Sequence, residues 1–287
     1  MRILVATFIV INFIAGLGGN TADAGDVAPF RLIALDVGEG QSILLQRGQH
    51  GMLIDTGHAG KARHLLQQLQ AYGVTQLDYL VLTHLHPDHA SGYFRIREAF
   101  PNLPTLVHNL SFANTGVPDM VRWVAEALES DPYREQFREG SLLNWQGLVL
   151  KPLWPQHSYG DNMNDNSLVI EVILGSHRVL LMGDVGSRVE QELLNQNKLS
   201  GPYDVLVAGH HGSEGTSSDA FLLKVKPTYS IISTDADNIW GYPAAETLKR
   251  LAKHSGTGLF TTYDYGDICL QWGPAAGPPV KCLNQLP

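Results

Sequence analysis

The chain has 287 residues, a net charge of −8 and two cysteines; 44% of it is hydrophobic and 17% charged. This composition excludes a disordered or fibrous chain and leaves room for one large domain with a substantial core. The acidic balance also argues against non-specific binding to nucleic acid, which needs a positive field facing the phosphates, and no Lys/Arg cluster announces a local basic patch.

The first 24 residues open with Met1-Arg2, run on as an apolar stretch and reach the small-x-small sequence Ala22-Asp23-Ala24. The pattern predicts a secretory signal peptide cleaved after Ala24. Its apolar run is shorter than the roughly 20 residues of a membrane span, so the expected mature chain, 25–287, carries no membrane anchor. It is expected to form a single domain in the periplasm or outside the cell. In that setting an even cysteine count predicts a bond between Cys269 and Cys282, fastening the C-terminal segment.

Short apolar runs at 30–36, 42–46 and 52–54, separated by glycine-rich turns, predict a meander. Helical spacing follows at 61–71, then a buried-strand pattern at 77–82. Residues 90–100 and 119–128 read as helices and 105–108 as a strand. The second half repeats the theme. Strands are expected at 148–153, 168–174, 179–182, 204–208 and 229–233, with helices at 189–195, 219–225 and 245–253. Residues 258–283 have strand character around a Pro/Gly-rich turn. Two halves of this kind, with no low-complexity linker, predict two sheets packed face to face with helices outside.

Several of these strands end in histidine or aspartate. Leu82 leads to Thr83-His84-Leu85-His86-Pro87-Asp88-His89, Met182 to Gly183-Asp184, and Ala208 to Gly209-His210-His211. Imidazole and carboxylate together suit zinc, with manganese or iron as alternatives. His84 and His86 are two apart, so an extended chain points both to one side. Asp88 and His89 then lie around a turn begun by Pro87. Four such groups within six positions after a buried strand are not explained by stability. Single histidines are usually surface or packed residues, and His50, His58, His64, His108, His157, His177 and His254 are read that way. Asn109-Leu110-Ser111 fits a glycosylation sequon and carries little weight.

The stretch 83–89 resembles the HxHxDH signature of the metallo-β-lactamase superfamily. Leu53-Ile54-Asp55-Thr56-Gly57, Leu181-Met182-Gly183-Asp184 and Gly209-His210-His211-Gly212-Ser213 resemble its other signatures, in the expected order. Leu35-Asp36-Val37-Gly38-Glu39-Gly40-Gln41-Ser42, Asn164-Asp165-Asn166-Ser167 and Asp237-Asn238-Ile239-Trp240-Gly241-Tyr242-Pro243 are similar to the hydrolase domain of the ComEC/Rec2 competence proteins. The resemblance implies an α+β fold, the αββα four-layer sandwich. It implies two divalent metal ions, zinc first and Mn2+ as the alternative. His84 and His86 would hold the first, Asp88 and His89 the second, with Asp184 bridging and one or both of His210 and His211, His211 before His210, completing the set. Asp88 and Asp184 are the candidates for orienting the nucleophile, and Asp55 for supporting a metal-binding histidine by hydrogen bond.

Two departures stand out. The loop at 161–166 lacks the histidine that superfamily members usually give the first metal, which leaves His210, an amide of Asn164 or Asn166, or an open position. Where the competence group carries Gly-His-Pro-His, this chain has Gly241-Tyr242-Pro243-Ala244. The function implied is an exported metal-dependent hydrolase of phosphodiesterase or nuclease type, with a small-molecule or phosphodiester substrate. The alternatives are a lactone or β-lactam hydrolase, or a catalytically weak metal-binding protein of the same fold.

Overall fold

The computed structural model describes residues 28–108, 117–158, 162–273 and 277–282. The leader at 1–24 and the sequon at 109–111 lie outside the described residues. Six strands come first: β1 (Phe30–Ala34), β2 (Ile43–Arg47), β3 (His50–Ile54), β4 (Gln76–Leu82), β5 (Thr105–Val107) and β6 (Arg134–Gln136). Seven more follow: β7 (Leu143–Trp145), β8 (Leu148–Trp154), β9 (Val169–Leu174), β10 (His177–Leu181), β11 (Val205–Val207), β12 (Tyr229–Ile232) and β13 (Gly258–Thr261). Then β14 (Ile268–Trp272) and β15 (Val280–Lys281) return to the first sheet. The two sheets run β15-β14-β1-β2-β3-β4-β5-β6 and β13-β12-β11-β10-β9-β8-β7.

The period-two alternation of the strands builds the layers. Leu32 and Ala34 of β1 face the space between the sheets, where Ile170 and Val172 of β9 and Val179 and Leu181 of β10 meet them. The intervening Ile33 and the following Leu35 face the other way, into a second core. There they meet Leu65 and Leu69 of α1 (Ala62–Ala71), and helices α2 (Pro87–Ala90), α3 (Tyr93–Ala99) and α4 (Asp119–Glu129) cover the same side. On the outer face of the second sheet, Leu180 and Met182 pack with Val189 and Leu193 of α5 (Ser187–Asn195), Phe221 of α6 (Asp219–Val225) and Leu251 of α7 (Ala245–His254). One inner core and two outer cores make the four-layer sandwich that the alternating patterns predict. A last short helix, α8 (Thr262–Tyr265), joins β13 to β14.

Strands β3 to β6 run parallel, as do β10 to β13. Their carboxyl ends meet along one edge of the sandwich, the place where open parallel sheets leave a crevice. A hydrogen bond from Leu168 N to Thr83 O, 2.9 Å, ties the second sheet to the first beneath that crevice. The expected pairing of Cys269 with Cys282 is present, and it holds β15 on β14. Among the described residues no helix is long and apolar enough to cross a membrane.

Candidate metal centre

Asp55 ends β3 in left-handed backbone, φ 62°, and is fully buried. A buried carboxylate is tolerable only when its oxygens are satisfied. Here Gln41 Nε2 (2.9 Å), Thr83 N (2.8 Å) and Thr83 Oγ1 (2.8 Å) donate to it, and His89 Nδ1 lies 2.8 Å away. The carboxylate only accepts, so Nδ1 of His89 carries the proton and Nε2 presents a lone pair. Thr83 spends its hydroxyl hydrogen on Asp55, so its oxygen accepts from His84 Nδ1 at 3.2 Å. One aspartate therefore orients His89 directly and His84 through Thr83.

Pro87 occupies the first turn of α2, which suits its fixed φ. Asp88 and His89 thus sit on a short helix rather than in a simple turn. Gln41 N donates to Asp88 O, and Thr56 N and Oγ1 donate to His89 O. Gly40 permits this approach: with φ 125°, a Cβ on it would sit 2.3 Å from Asp88 O.

The second sheet supplies the remaining groups. Asp184 follows β10, its N–H donating to Ser167 Oγ at 3.2 Å. His210 and His211 follow β11 at φ 47° and 50°, both left-handed, where a non-glycine residue is strained. His211 Nδ1 lies 2.7 Å from Ser233 O, which again leaves Nε2 as the lone pair.

The donors fall into two groups: Asp88, His89, Asp184 and His211, and His84, His86 and Asp184, the ligand atoms of each lying within 4.8 Å of one another. His89 Nε2 is 3.0 Å from Asp184 Oδ1 and 3.2 Å from His211 Nε2, which is 3.1 Å from Asp88 Oδ2. His84 Nε2 is 3.0 Å from His86 Nδ1 and 3.7 Å from Asp184 Oδ2. Lone pairs aimed at one another at these distances repel unless a cation stands among them, so the donor set fits divalent ions. Without an ion the same carboxylates draw protons to these nitrogens instead. Burial lowers the pKa of His89, but Asp184, Asp55 and Asp88 overcome it and hold the ring well above its ordinary value. His211 is raised against burial by Asp184 and Asp88. His84 is pulled far down by burial and by His89, and His86 is lowered chiefly by burial. Asp184 is held well below the carboxylate range, the neighbouring imidazoles outweighing its burial.

Of the seven candidate ligands, six share these groups. His210 stands beside them, its Nε2 4.0 Å from Asp184 Oδ2, 3.3 Å from Asn164 Nδ2 and 3.5 Å from the Tyr242 hydroxyl. Asn164 faces the same cavity and its Oδ1 is buried without a partner. Asn166 is buried elsewhere, its Nδ2 donating to Asn162 O. The centre opens into a cavity of about 660 Å3 that also exposes Glu39, His58, Ile239 and Trp240. His58, expected from the sequence to be an ordinary surface or packed histidine, is therefore a cavity residue. Its place three positions after Asp55 was the available signal.

The family model described as "Metallo-beta-lactamase superfamily" matches residues 35–236. "Recombination protein 2" of Haemophilus influenzae is 32% identical over 225 residues, covering 77% of this chain and 26% of that protein. "Competence protein ComA" of Neisseria gonorrhoeae is 30% identical over 243 residues, covering 84% and 32%. The chain thus spans less than a third of these curated relatives. Among solved structures, the metallo-beta-lactamase fold protein YhfI from Bacillus subtilis is similar with a TM-score of 0.58 at 14% identity, over 85% of this chain and 100% of that one. The last likeness establishes the fold alone.

Proposed function

We propose a reaction for this chain, which belongs to the metallo-β-lactamase superfamily: metal-dependent hydrolysis of a phosphodiester outside the cytoplasm. The observation that carries it is the pair of donor groups sharing Asp184 at the floor of an open cavity. His84, His86 and Asp184 would hold one divalent ion, with Asn164 or His210 beside it, and Asp88, His89, His211 and Asp184 the other. Zinc suits the donors best, manganese being the alternative. When bound, two such ions supply a hydroxide nucleophile near neutral pH and neutralise charge on the phosphoryl oxygens.

The chain's own residues do the rest. The Asp55 network keeps His84 and His89 in the tautomer that faces the cavity. Asp184 and Asp88 present carboxylate oxygens at its floor and are the groups placed to orient the attacking oxygen. Burial, Asp184 and Asp88 raise the pKa of Tyr242, so its hydroxyl stays protonated and available as a hydrogen-bond donor to a phosphoryl oxygen. The likeness to competence proteins favours a phosphodiester over a lactone or β-lactam. Export is supported by the leader pattern and by the Cys269–Cys282 bond. Tyr242 in the place of a histidine favours the second reading, a metal-binding protein with little turnover.

Bis(p-nitrophenyl) phosphate and nitrocefin test this on the metal-loaded mature chain. Phosphodiester turnover abolished in Asp184→Ala supports the reading. Turnover of nitrocefin alone would sink it, and two bound ions with neither substrate turned over would favour the second reading.

A further inference from the structure

Loop 235–242 rises from the end of β12 and forms one wall of the cavity. It carries two large apolar side chains in the open, Ile239 at 85% and Trp240 at 63% exposure. Neither side chain has a ring contact or hydrogen bond among the described residues. Exposed apolar groups on a slack loop would turn inward, but this loop is held. Asn238 donates from Nδ2 to Asp235 O and Tyr242 O, both 2.6 Å, and accepts at Oδ1 from the N–H groups of Trp240 (3.2 Å) and Tyr242 (2.9 Å). The loop is also clamped to the metal-site turn. Ala244 N donates to Gly212 O, and Pro243 lies so close to Gly212 that a Cβ there would stand 2.7 Å from it. An apolar pair held out in water at the mouth of a polar cavity is the mark of a ligand surface.

Charge narrows the ligand. The cavity holds Glu39, Asp88 and Asp184, and among the described residues neither lysine nor arginine lines it. Bound ions would answer one phosphate. Within the cavity a further phosphate of a polymer would meet no lysine or arginine, and Lys61, beside Gly38 and Asp235, is outside its lining, although binding to a nucleic-acid chain depends on a row of such contacts. Affinity beyond the one phosphate must come from the apolar wall, and a flat indole is best matched by a second flat ring. We propose that Trp240 and Ile239 form a platform that seats an aromatic group carried by a small phosphoester, so that this centre selects single aryl or nucleoside phosphoesters over polymeric nucleic acid. This deepens the phosphodiester reading and rests on it for the phosphate, not for turnover.

The test is equilibrium binding to the zinc-loaded mature chain, followed by calorimetry, with phenyl phosphate, hexyl phosphate, methyl phosphate and inorganic phosphate. Phenyl phosphate is expected to bind roughly tenfold more tightly than methyl phosphate, the scale of one stacked ring. In Trp240→Ala that preference should shrink to within about threefold while inorganic phosphate binds as before; Ile239→Ala should lose a smaller part. Unchanged zinc content in both variants shows that the centre is intact. The proposal is overturned by equal affinity for phenyl and methyl phosphate, by a preference that survives Trp240→Ala, or by hexyl phosphate matching phenyl phosphate. It is also overturned if a ten-residue oligothymidylate binds far more tightly than thymidine 5′-phosphate with steep salt dependence. Failure of the hydrolase reading looks different: the aryl preference would persist with no bis(p-nitrophenyl) phosphate turned over.

Discussion

The two sheets build one centre by opposite means. The first places His84, His86, Asp88 and His89 within one stretch that ends β4 and begins α2, and Asp55 satisfies the buried hydrogen-bonding groups around it. The second brings Asp184, His210 and His211 from two separate strand ends and holds both histidines in left-handed backbone. One side is ordered by satisfied polar groups and the other by strain that its surroundings must sustain. The first side should therefore fail through lost hydrogen bonds, the second through lost donors or relaxed backbone.

Removing Asp184 should have the largest effect, because it alone belongs to both groups. Asp184→Ala should leave fewer than one ion per chain by elemental analysis, and phosphodiester turnover should fall on the order of 100- to 1000-fold, as when a centre loses its charge-stabilising group. A variant retaining two ions would break the idea of a shared carboxylate. Next is Asp55→Ala, which touches no ion. It should weaken metal affinity about 10- to 100-fold, at both positions, because it orients both His89 and His84. The Asp55→Ala chain should also unfold at lower urea, since Thr83 N and His89 Nδ1 lose their acceptor at roughly 1–3 kcal/mol each.

The pH dependence separates the positions more gently. His89 and His211 have raised pKa values, so in the ion-free protein protons compete with a cation for their Nε2 atoms to higher pH than at an ordinary imidazole. Affinity at that position should climb with pH, by up to about tenfold per unit for each proton displaced, until the raised values are passed. His84 and His86 have lowered pKa values and are neutral at pH 7, so affinity at their position should be flat there. Calorimetry in buffers of different ionisation enthalpy counts the protons released in each step; equal release in both would remove the distinction. The smallest effect concerns strain. His210→Gly should stabilise the ion-free chain by about 1 kcal/mol, the cost of left-handed backbone at a non-glycine residue. Chemical denaturation measures it, and destabilisation would show that the His210 ring contributes more packing than its backbone costs.

The same contrast governs what could be read from sequence. The run 83–89 is legible because its chemistry is contiguous and follows a buried strand. The preference for His211 over His210 came from resemblance, and its physical reason is tertiary: Ser233 O and the left-handed turn point only His211 into the ligand group. The long strands and amphipathic helices were visible in their periodicity. Strand β6, Arg-Glu-Gln and wholly exposed, has no apolar alternation to reveal it, and β7 is too short for a period. The helix expected at 90–100 begins earlier, at Pro87, and divides into α2 and α3. Trp240 carries no sequence signal as a cavity residue, and His58 only its place three positions after Asp55, because the meeting of the sheets puts them at one opening.

The bond between Cys269 and Cys282 has a consequence for how copies of this chain coexist. A long sheet with a bare outer strand offers unpaired amides to any neighbour and invites strand-to-strand association. Here the two residues of β15 cover the outer edge of β14, too short to stay by themselves and kept in place by the cystine. The opposite edge is β6, whose charged residues discourage the same approach. The cystine thus guards the molecule's solubility at high concentration, and a reduced sample should be the one that aggregates.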